Sequence, residues 1–422
     1  MTLPEPREDW SAEEAERHLL ARERFGMRFG LDRMHRLLNV LGLPRVAYPT
    51  IHVVGTNGKS STTRMIAALL AREGLRAGCY TSPHLLSYRE RTQIDGADIS
   101  PERFARAIAR VIHASDLVDR TASPEGDVVT QFELLTAAAL CEFEAAEVDV
   151  AVLEAGLGGR YDATNVVDSR VVVLTNVGLE HTRYLGPTVA DIAREKLAVV
   201  RRDAILILGA GIASDTLELA RKTAAERGAE LLLASEDVAV SLRAGGGYQR
   251  RNFAAAHAAA TAFLGRDLDA AGVADVAGSL VVPGRFQVLD GSPVTLLDGA
   301  HNDGGIEALT QSLPDFAAGR RLVAVVSILD DKDAAGMLAR LLSCCDAVVC
   351  TACSSPRALP AATIASLVGQ IGGTAATLVP GPHRALAHAR ELAGPGGVVV
   401  ATGSIYLISD LLRAPGARGS AL

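Results

Sequence analysis

At roughly 150 residues per domain, a chain of 422 residues is too long for a single small module and has room for two large α/β domains or three smaller ones. Its composition, 49% hydrophobic and 22% charged, is that of a globular protein with real cores, which excludes wholesale disorder. With 42 Lys and Arg against 49 Asp and Glu the net charge is −7, so the chain lacks the basic excess that draws proteins to nucleic acid or anionic lipid. Only 4% of residues are aromatic while 40 are glycine, favouring close-packed Ala, Val and Leu layers with tight turns over an aromatic β-sandwich. The N-terminal stretch is charged throughout and has no apolar h-region, and no 18-residue uncharged apolar run occurs elsewhere. The expectation is a cytoplasmic protein with no membrane and no nucleic-acid partner. Six cysteines in such a chain read as reduced thiols. Cys350-x-x-Cys353 ends an apolar run, where a buried strand cysteine competes with a metal or redox role and no second ligand pair supports the latter.

In chain order, Leu31, Met34, Leu37, Leu38 and Leu41 recur at helical spacing, so 30–42 predicts a helix docked on a sheet. Strands are expected at Thr50 to Val54, Ala77 to Tyr80, Val148 to Leu153, Val171 to Thr175 and Ala204 to Leu208, with amphipathic stretches between most of them. That alternation implies parallel strands with crossover helices. Ala244 to Gly247 breaks the pattern before an Ala-rich helix from Asn252, and Val282-Pro283-Gly284 reads as a boundary. A second α/β series follows, with strands at Val294 to Leu297, Leu322 to Val326, Ala347 to Thr351, Ala375 to Val379 and Val398 to Thr402. The domains are therefore expected over 1–282 and 283–422. No repeat of fixed period is present.

The first strand runs into Gly55-Thr56-Asn57-Gly58-Lys59-Ser60-Ser61 and then a helix. Glycines let backbone N–H groups face phosphates, the helix N-terminus adds partial positive charge, and Lys59 neutralises the terminal phosphates. The eight-residue P-loop pattern is not fully met, since its first glycine would fall on Val53, and the tripeptide alone could be a helix cap; the strand-then-helix order favours nucleotide binding. The next strands end at Thr81-Ser82-Pro83-His84 and Glu154-Ala-Gly-Leu-Gly-Gly-Arg160, placing oxygen ligands where open α/β sheets bind ligands. A carboxylate there suits Mg²⁺ on a nucleotide, against the plainer reading of Glu154 as a solvated loop residue. The fourth strand leads to Glu180-His181 and on to Glu195-Lys196.

Together GTNGKSST, TSPHL, EAGLGGRYDATN, GLEH, AREK, Pro283-Gly284-Arg285-Phe286 and Asp298-Gly299-Ala300-His301-Asn302 resemble the Mur ligase superfamily, in its folylpolyglutamate synthase/dihydrofolate synthase branch, from about Gly30 to Tyr406. The resemblance implies an α/β fold: a P-loop Mur-ligase-type ATPase domain with a mostly parallel sheet, plus a smaller C-terminal Rossmann-like domain. It implies ATP on Gly55 to Ser61, two Mg²⁺ sites with Ser82, Glu154 and His181 as ligands, and a carbamylated Lys196 helping to hold the second ion. Asn252 would face adenine, Arg285 the phosphates and Asp298 the ribose, while His301 and Ser404 would lie on the glutamate side. Lys59, His181, Lys196, Arg285 and His301 would form the catalytic set. The folate or dihydropteroate acceptor would meet Ser82, Pro83, His84 and Arg91 on one loop and Asp162, Thr164 and Asn165 on another. The enzyme would be a monomer.

Three positions depart from the family run: Ser60 where Gly is common, Tyr248 where His is frequent, and Leu-Ala-Val after Lys196 in place of Ala-Gly-Ile. The implied reaction activates a carboxylate with the γ-phosphoryl group of ATP and couples the acyl phosphate to the amine of L-glutamate, with two domains closing over it to exclude water. Another Mur-type amino-acid ligase with a muramyl or polymer acceptor, and a P-loop switch without ligase activity, are the competing readings; the switch leaves Asp298 and His301 without a task.

Overall fold

The computed structural model describes residues 10–23, 29–121 and 127–415; the rest of the charged N-terminal stretch lies outside the described residues. The described residues divide into two compact units, one holding those up to Val240 together with Arg251–Val276, the other Ser241–Arg250 and those from Ala277 to 415.

The first unit is built on β1 (Thr50–Val54), β2 (Ala77–Tyr80), β3 (Thr92–Ile94), β4 (Ala97–Asp98), β5 (Val150–Glu154), β6 (Val171–Leu174), β7 (Ile205–Leu208) and β8 (Glu230–Leu233), in spatial order β4-β3-β2-β5-β1-β6-β7-β8. All pairs are parallel except β2–β3 and β3–β4. Every residue of β1 is buried, as a central parallel strand covered on both faces must be. One face carries a core of Met34, Leu37, Phe104, Ile108, Leu134 and Phe143, drawn from the helices Asp32–Val40, Pro101–Thr121 and Gln131–Ala145. Val54, Val172, Leu174, Leu197 and Leu206 fill another. Chain order reverses around β1: β1 crosses to β2 on one side, and β5 crosses to β6 on the other, so the loops after β1, β5 and β6 converge at one edge.

The second unit carries β9 (Gln287–Leu289), β10 (Val294–Leu297), β11 (Leu322–Val326), β12 (Ala347–Cys350), β13 (Ala375–Leu378) and β14 (Val398–Thr402), ordered β13-β12-β11-β14-β10-β9 and parallel but for β9. Its core includes Phe286, Leu309, Leu313, Leu338 and Val400.

The expected α/β class and mostly parallel sheets are present. Four short strands were not expected from the sequence. Three of them, β3, β4 and β9, pair antiparallel at or near sheet edges with polar residues among them, and β8 closes the other edge of the first sheet with mostly exposed side chains. β5 starts two residues later than predicted and includes Glu154, which is therefore a strand residue and not a loop carboxylate. The Ala-rich helix begins at Gly247 rather than at Asn252: the chain turns at Gly246 (φ +88°), and of the three glycines only Gly247 enters the helix. Cys350 and Cys353 are buried and unpaired, as are Cys79, Cys141 and Cys345, while Cys344 is partly exposed and unpaired. Among the described residues no helix is long and apolar enough to cross a membrane.

Candidate active site

The glycine-rich loop expected to hold phosphates follows β1 directly. Gly58 has φ +81° and N-caps the helix Lys59–Arg72; a Cβ there would lie 2.4 Å from Asn252 Oδ1, so both conformation and space require glycine. The loop is laced to the residues after β6: Thr56 N–H donates to Asn176 O (3.0 Å), Asn57 N–H to Asn176 Oδ1 (2.8 Å), and Thr175 Oγ1 to Asn57 O (2.7 Å). Lys59 Nζ donates to Thr56 O at 3.2 Å, holding its charge over the loop, and Ser61 is buried in the first helical turn. Asn252, assigned to adenine by resemblance, thus stands against the same loop.

Glu154 ends β5 at 2% exposure. Its Oε1 accepts from Ser60 Oγ (2.8 Å) and its Oε2 from Ser82 N–H (3.0 Å), so one carboxylate ties the glycine-rich loop after β1 to the loop after β2. Ser60, a departure from the family run, uses its extra hydroxyl here. Lys196 is buried and donates to Gly55 O at 2.7 Å. Burial, and then the charge of Lys59, lower its ammonium to about 7. Its helix, Val189–Leu197, is pinned by the loop after β5: Arg160 N–H donates to Glu195 O (3.0 Å) and Arg160 Nε pairs with Glu195 Oε1 (2.9 Å). His181 has φ 51°, an uncommon conformation for a residue with a side chain, and its imidazole is partly exposed.

Beside these groups opens a cavity of about 410 Å³. Ser82, Pro83 and His181 form one wall, Gly156, Leu157, Tyr161 and Asp162 another, and Thr130, Gln131 and Phe132 a third, with Phe29 and Arg22 at the edge. The third wall is the N-terminus of the helix Gln131–Ala145. Thr130 and Glu133 form a capping box there, and Glu133 is clasped by the buried Arg33, whose Nε lies 3.0 Å from Oε1. Sequence reasoning missed Phe29, Thr130, Gln131, Phe132 and Tyr161; the Thr-x-x-Glu capping pattern was the signal that marked a helix terminus there.

Of the acceptor residues expected from sequence, Ser82, Pro83 and Asp162 line this cavity and the others are internal. Arg91 Nε donates to His84 Nδ1 at 3.0 Å, both residues being buried, with the His84 ring 4.3 Å from that of Tyr88. Thr164 donates to Asp162, and Asn165 is held by Arg201, whose Nη2 reaches the Asn165 carbonyl (2.6 Å) and side-chain oxygen (3.0 Å).

In the second unit, Asp298 at the end of β10 accepts from Phe286 N–H (2.8 Å), Ala300 N–H (2.8 Å) and the Tyr248 hydroxyl. It therefore organises the Pro283–Phe286 turn and the loop after β10 together. The Arg285 guanidinium lies over Gly299, where a Cβ would meet Nη1 at 2.3 Å. His301 Nδ1 lies 2.8 Å from Gly299 O; a carbonyl only accepts, so Nδ1 carries a hydrogen and donates it there. Ser404 is buried and caps the helix Ile405–Leu412 through Tyr406 N–H.

Residues 53–227 match the Mur ligase middle domain and residues 284–405 the Mur ligase glutamate ligase domain. The dihydrofolate synthase/folylpolyglutamate synthase of Mycobacterium tuberculosis is 36% identical over 379 residues, 81% of this chain and 77% of that protein. The Bacillus subtilis protein of the same name is 32% identical over 426 residues, 93% of this chain and 96% of that protein. Among solved structures, Mycobacterium tuberculosis folylpolyglutamate synthase complexed with ADP aligns with TM-score 0.88 at 31% identity, covering 97% of this chain and 99% of the other. Escherichia coli FolC in complex with DHPP and ADP aligns with TM-score 0.85 at 29% identity, covering 97% and 98%. A bifunctional folylpolyglutamate synthase/dihydrofolate synthase with Mn, AMPPNP and L-glutamate bound aligns with TM-score 0.83 at 30% identity, covering 96% and 99%. With these matches over nearly its whole described length, the chain belongs to the dihydrofolate synthase/folylpolyglutamate synthase family of Mur ligases.

Proposed function

We propose that this protein is an ATP-dependent ligase that joins L-glutamate to the free carboxylate of dihydropteroate, of a reduced folate, or of both, and that it acts as a monomer. One observation carries the reading: Ser82 lines the 410 Å³ cavity and, through its N–H on Glu154, is tied to the residue that also holds Ser60 of the phosphate loop. An acceptor seated in that cavity brings its carboxylate to the edge of the triphosphate site. Phe29, Phe132 and Tyr161 offer flat apolar contact for an aromatic acceptor, and Asp162 offers carboxylate oxygens to its N–H groups.

A carboxylate does not acylate an amine at neutral pH, because its oxygen is a poor leaving group. An acceptor carboxylate oxygen attacks the γ-phosphorus, the bond to the β-bridging oxygen breaks, and ADP leaves with that electron pair. The uncharged amine of glutamate then adds to the acyl carbon; the carbon–oxygen bond breaks, phosphate departs with the electrons, and the amide nitrogen loses a proton. Lys59 and the loop N–H groups hold charge on the transferring group, and the cavity walls keep water from the acyl phosphate.

The donor set fits a divalent cation that shares its ligands with nucleotide phosphates. Among the described residues no group of three or more His, Cys, Asp and Glu side chains is gathered to hold a metal, while Glu154 stands oriented at a strand end, the arrangement Mg²⁺ uses when phosphates complete its shell. Ser82, Glu154 and His181 would hold such ions, two in number, with Lys196; bound there, they supply charge neutralisation on the phosphates. Lys196 would serve as a ligand once its neutral amine had attacked CO₂: the N–C bond forms, a C=O π pair moves onto oxygen, and the nitrogen releases one proton to leave a carbamate. Its burial and lowered ammonium favour the neutral amine that this step needs. The roles that resemblance gives to Asn252, Arg285, Asp298, His301 and Ser404 belong to the same proposal.

The test is ADP release by the purified full chain. It is expected only when Mg²⁺, L-glutamate and a pteroate or folate acceptor are all present; equal release without acceptor, or AMP as the product, rejects the reading. For Lys196, ¹³C-bicarbonate should give a carbamate carbon resonance in the wild type that Lys196→Ala lacks, and the same spectrum from both would reject the carbamate.

A further inference from the structure

His52 sits at the centre of β1 with 1% exposure, between Ile51 and Val53 and with parallel strands on both sides. An aliphatic residue would fill such a position without burying polar atoms, so the fold alone does not call for an imidazole. Its Nε2 lies 2.8 Å from Thr164 Oγ1, and that hydroxyl lies 2.5 Å from Asp162 Oδ1. Asp162 also accepts from Thr164 N–H (3.0 Å) and, through Oδ2, from Leu157 N–H (2.7 Å), and it lines the cavity.

The hydrogen count fixes the direction of this chain. Both Asp162 oxygens accept from backbone N–H groups, Oδ1 from Thr164 and Oδ2 from Leu157, as an ionised carboxylate does, so the single hydroxyl hydrogen of Thr164 goes to Asp162. Nε2 of His52 must then carry its own hydrogen and donate it to Thr164. In the neutral ring Nδ1 is left as a bare lone pair, and Nδ1 is the ring atom that has no hydrogen-bond partner among the described residues. Burial, and secondarily Arg201, lower the imidazole to about 3, so the ring stays neutral and has one hydrogen to give.

We propose that His52 is a positioning residue for the acceptor: by donating to Thr164 it commits the threonine hydroxyl to Asp162 and holds that carboxylate in place as an acceptor of hydrogen bonds on the cavity wall. The inference rests on the reading that Asp162 faces the acceptor, and adds that the orientation is set from the central strand. Without the imidazole donor, Thr164 keeps an unsatisfied buried oxygen and is free to turn its hydrogen elsewhere, and Asp162 loses its shortest contact.

The test uses steady-state kinetics of the full chain with dihydropteroate, ATP and glutamate for the wild type, His52→Met and His52→Gln. Removing the buried imidazole–threonine bond, and with it the hold on the Thr164–Asp162 contact, should raise KM for dihydropteroate about tenfold in His52→Met, with kcat and the KM for ATP within about twofold of wild type. Gln places an amide N–H₂ where Nε2 stands and should restore KM to within about threefold. Unchanged dihydropteroate KM in His52→Met overturns the inference. So does a loss spread equally over the KM for ATP and the thermal midpoint, which would mark a residue serving only the strand. If His52→Met does not fold, His52→Gln is compared with His52→Asn, whose shorter side chain cannot reach Thr164; equal dihydropteroate KM in those two also overturns it. A wild type that turns over ATP with no pteroate or folate dependence is a different result and refutes the functional reading itself.

Discussion

Replacing Glu154 by Gln separates the chemistry of the strand-end carboxylate from its structural task. The side chain keeps its length, so its oxygen can still accept from Ser82 N–H, while the new amide N–H₂ can donate to Ser60 Oγ, which then accepts instead of donating. Both contacts survive in altered polarity, and the stability cost should be below about 1 kcal/mol. Glu154→Ala, by contrast, leaves Ser82 N–H and the Ser60 hydroxyl without this partner in a site only 2% exposed and opens a void, for about 3 kcal/mol. What Gln cannot replace is the negative charge where the proposed function seats the triphosphate, so turnover should fall about 100-fold or more, with a raised Mg²⁺ requirement. The assay is ADP release across a Mg²⁺ titration, paired with thermal unfolding of the same samples. Wild-type turnover and Mg²⁺ dependence in Glu154→Gln would refute the assignment; lost turnover with a fall in stability as large as that of Glu154→Ala would show the carboxylate serving the fold.

Lys59→Ala should abolish ADP release and leave the thermal midpoint nearly unchanged, since Nζ bonds to Thr56 O at a partly exposed loop; retained turnover would remove the loop from the mechanism. Asp298→Ala should destabilise the second unit by about 3 kcal/mol or more, because two buried N–H groups and the Tyr248 hydroxyl lose their acceptor, and Asp298→Asn by clearly less; chemical denaturation of the two variants decides it. His52 gives a signed pH dependence. Its native value of about 3 lies below the unfolded value near 6.5, so the unfolded chain binds the extra proton and stability falls as pH drops from about 6.5 towards 3, by up to about 1.4 kcal/mol per pH unit. His52→Gln should flatten that part of the denaturation-versus-pH curve relative to wild type, and superimposable curves would contradict it.

Strands such as Val171–Leu174 and Val398–Thr402 were legible because buried parallel strands are written as short β-branched runs. β3 and β9 were not, since Thr92-Gln-Ile94 and Gln287-Val-Leu289 are three-residue pieces whose pairing depends on where a neighbouring strand already lies. The strand–glycine loop–helix arrangement after β1 was legible from local spacing, because its glycines and Lys59 lie within one turn of chain. The cavity was legible on the walls that carry motifs and illegible on the wall made by Thr130 to Phe132 and the edge at Phe29. Those residues meet Ser82 and Asp162 only through tertiary contacts such as Arg33 with Glu133, a hundred positions apart. The split among the expected acceptor residues has the same origin. Motif matching brings Asp162, Thr164 and Asn165 forward as one group, but only the folded loop shows that Asp162 lines the cavity while Thr164 and Asn165 support it from behind.

The most direct test of the account follows an oxygen atom. With the acceptor carboxylate enriched in oxygen-18, attack on the γ-phosphorus must carry one labelled oxygen into the phosphate released when glutamate displaces it. Mass spectrometry of the inorganic phosphate from a turnover with ATP, Mg²⁺, L-glutamate and labelled dihydropteroate should therefore find one oxygen-18 per phosphate, in step with amide formed. Phosphate that is unlabelled while amide accumulates would contradict activation through an acyl phosphate at this site.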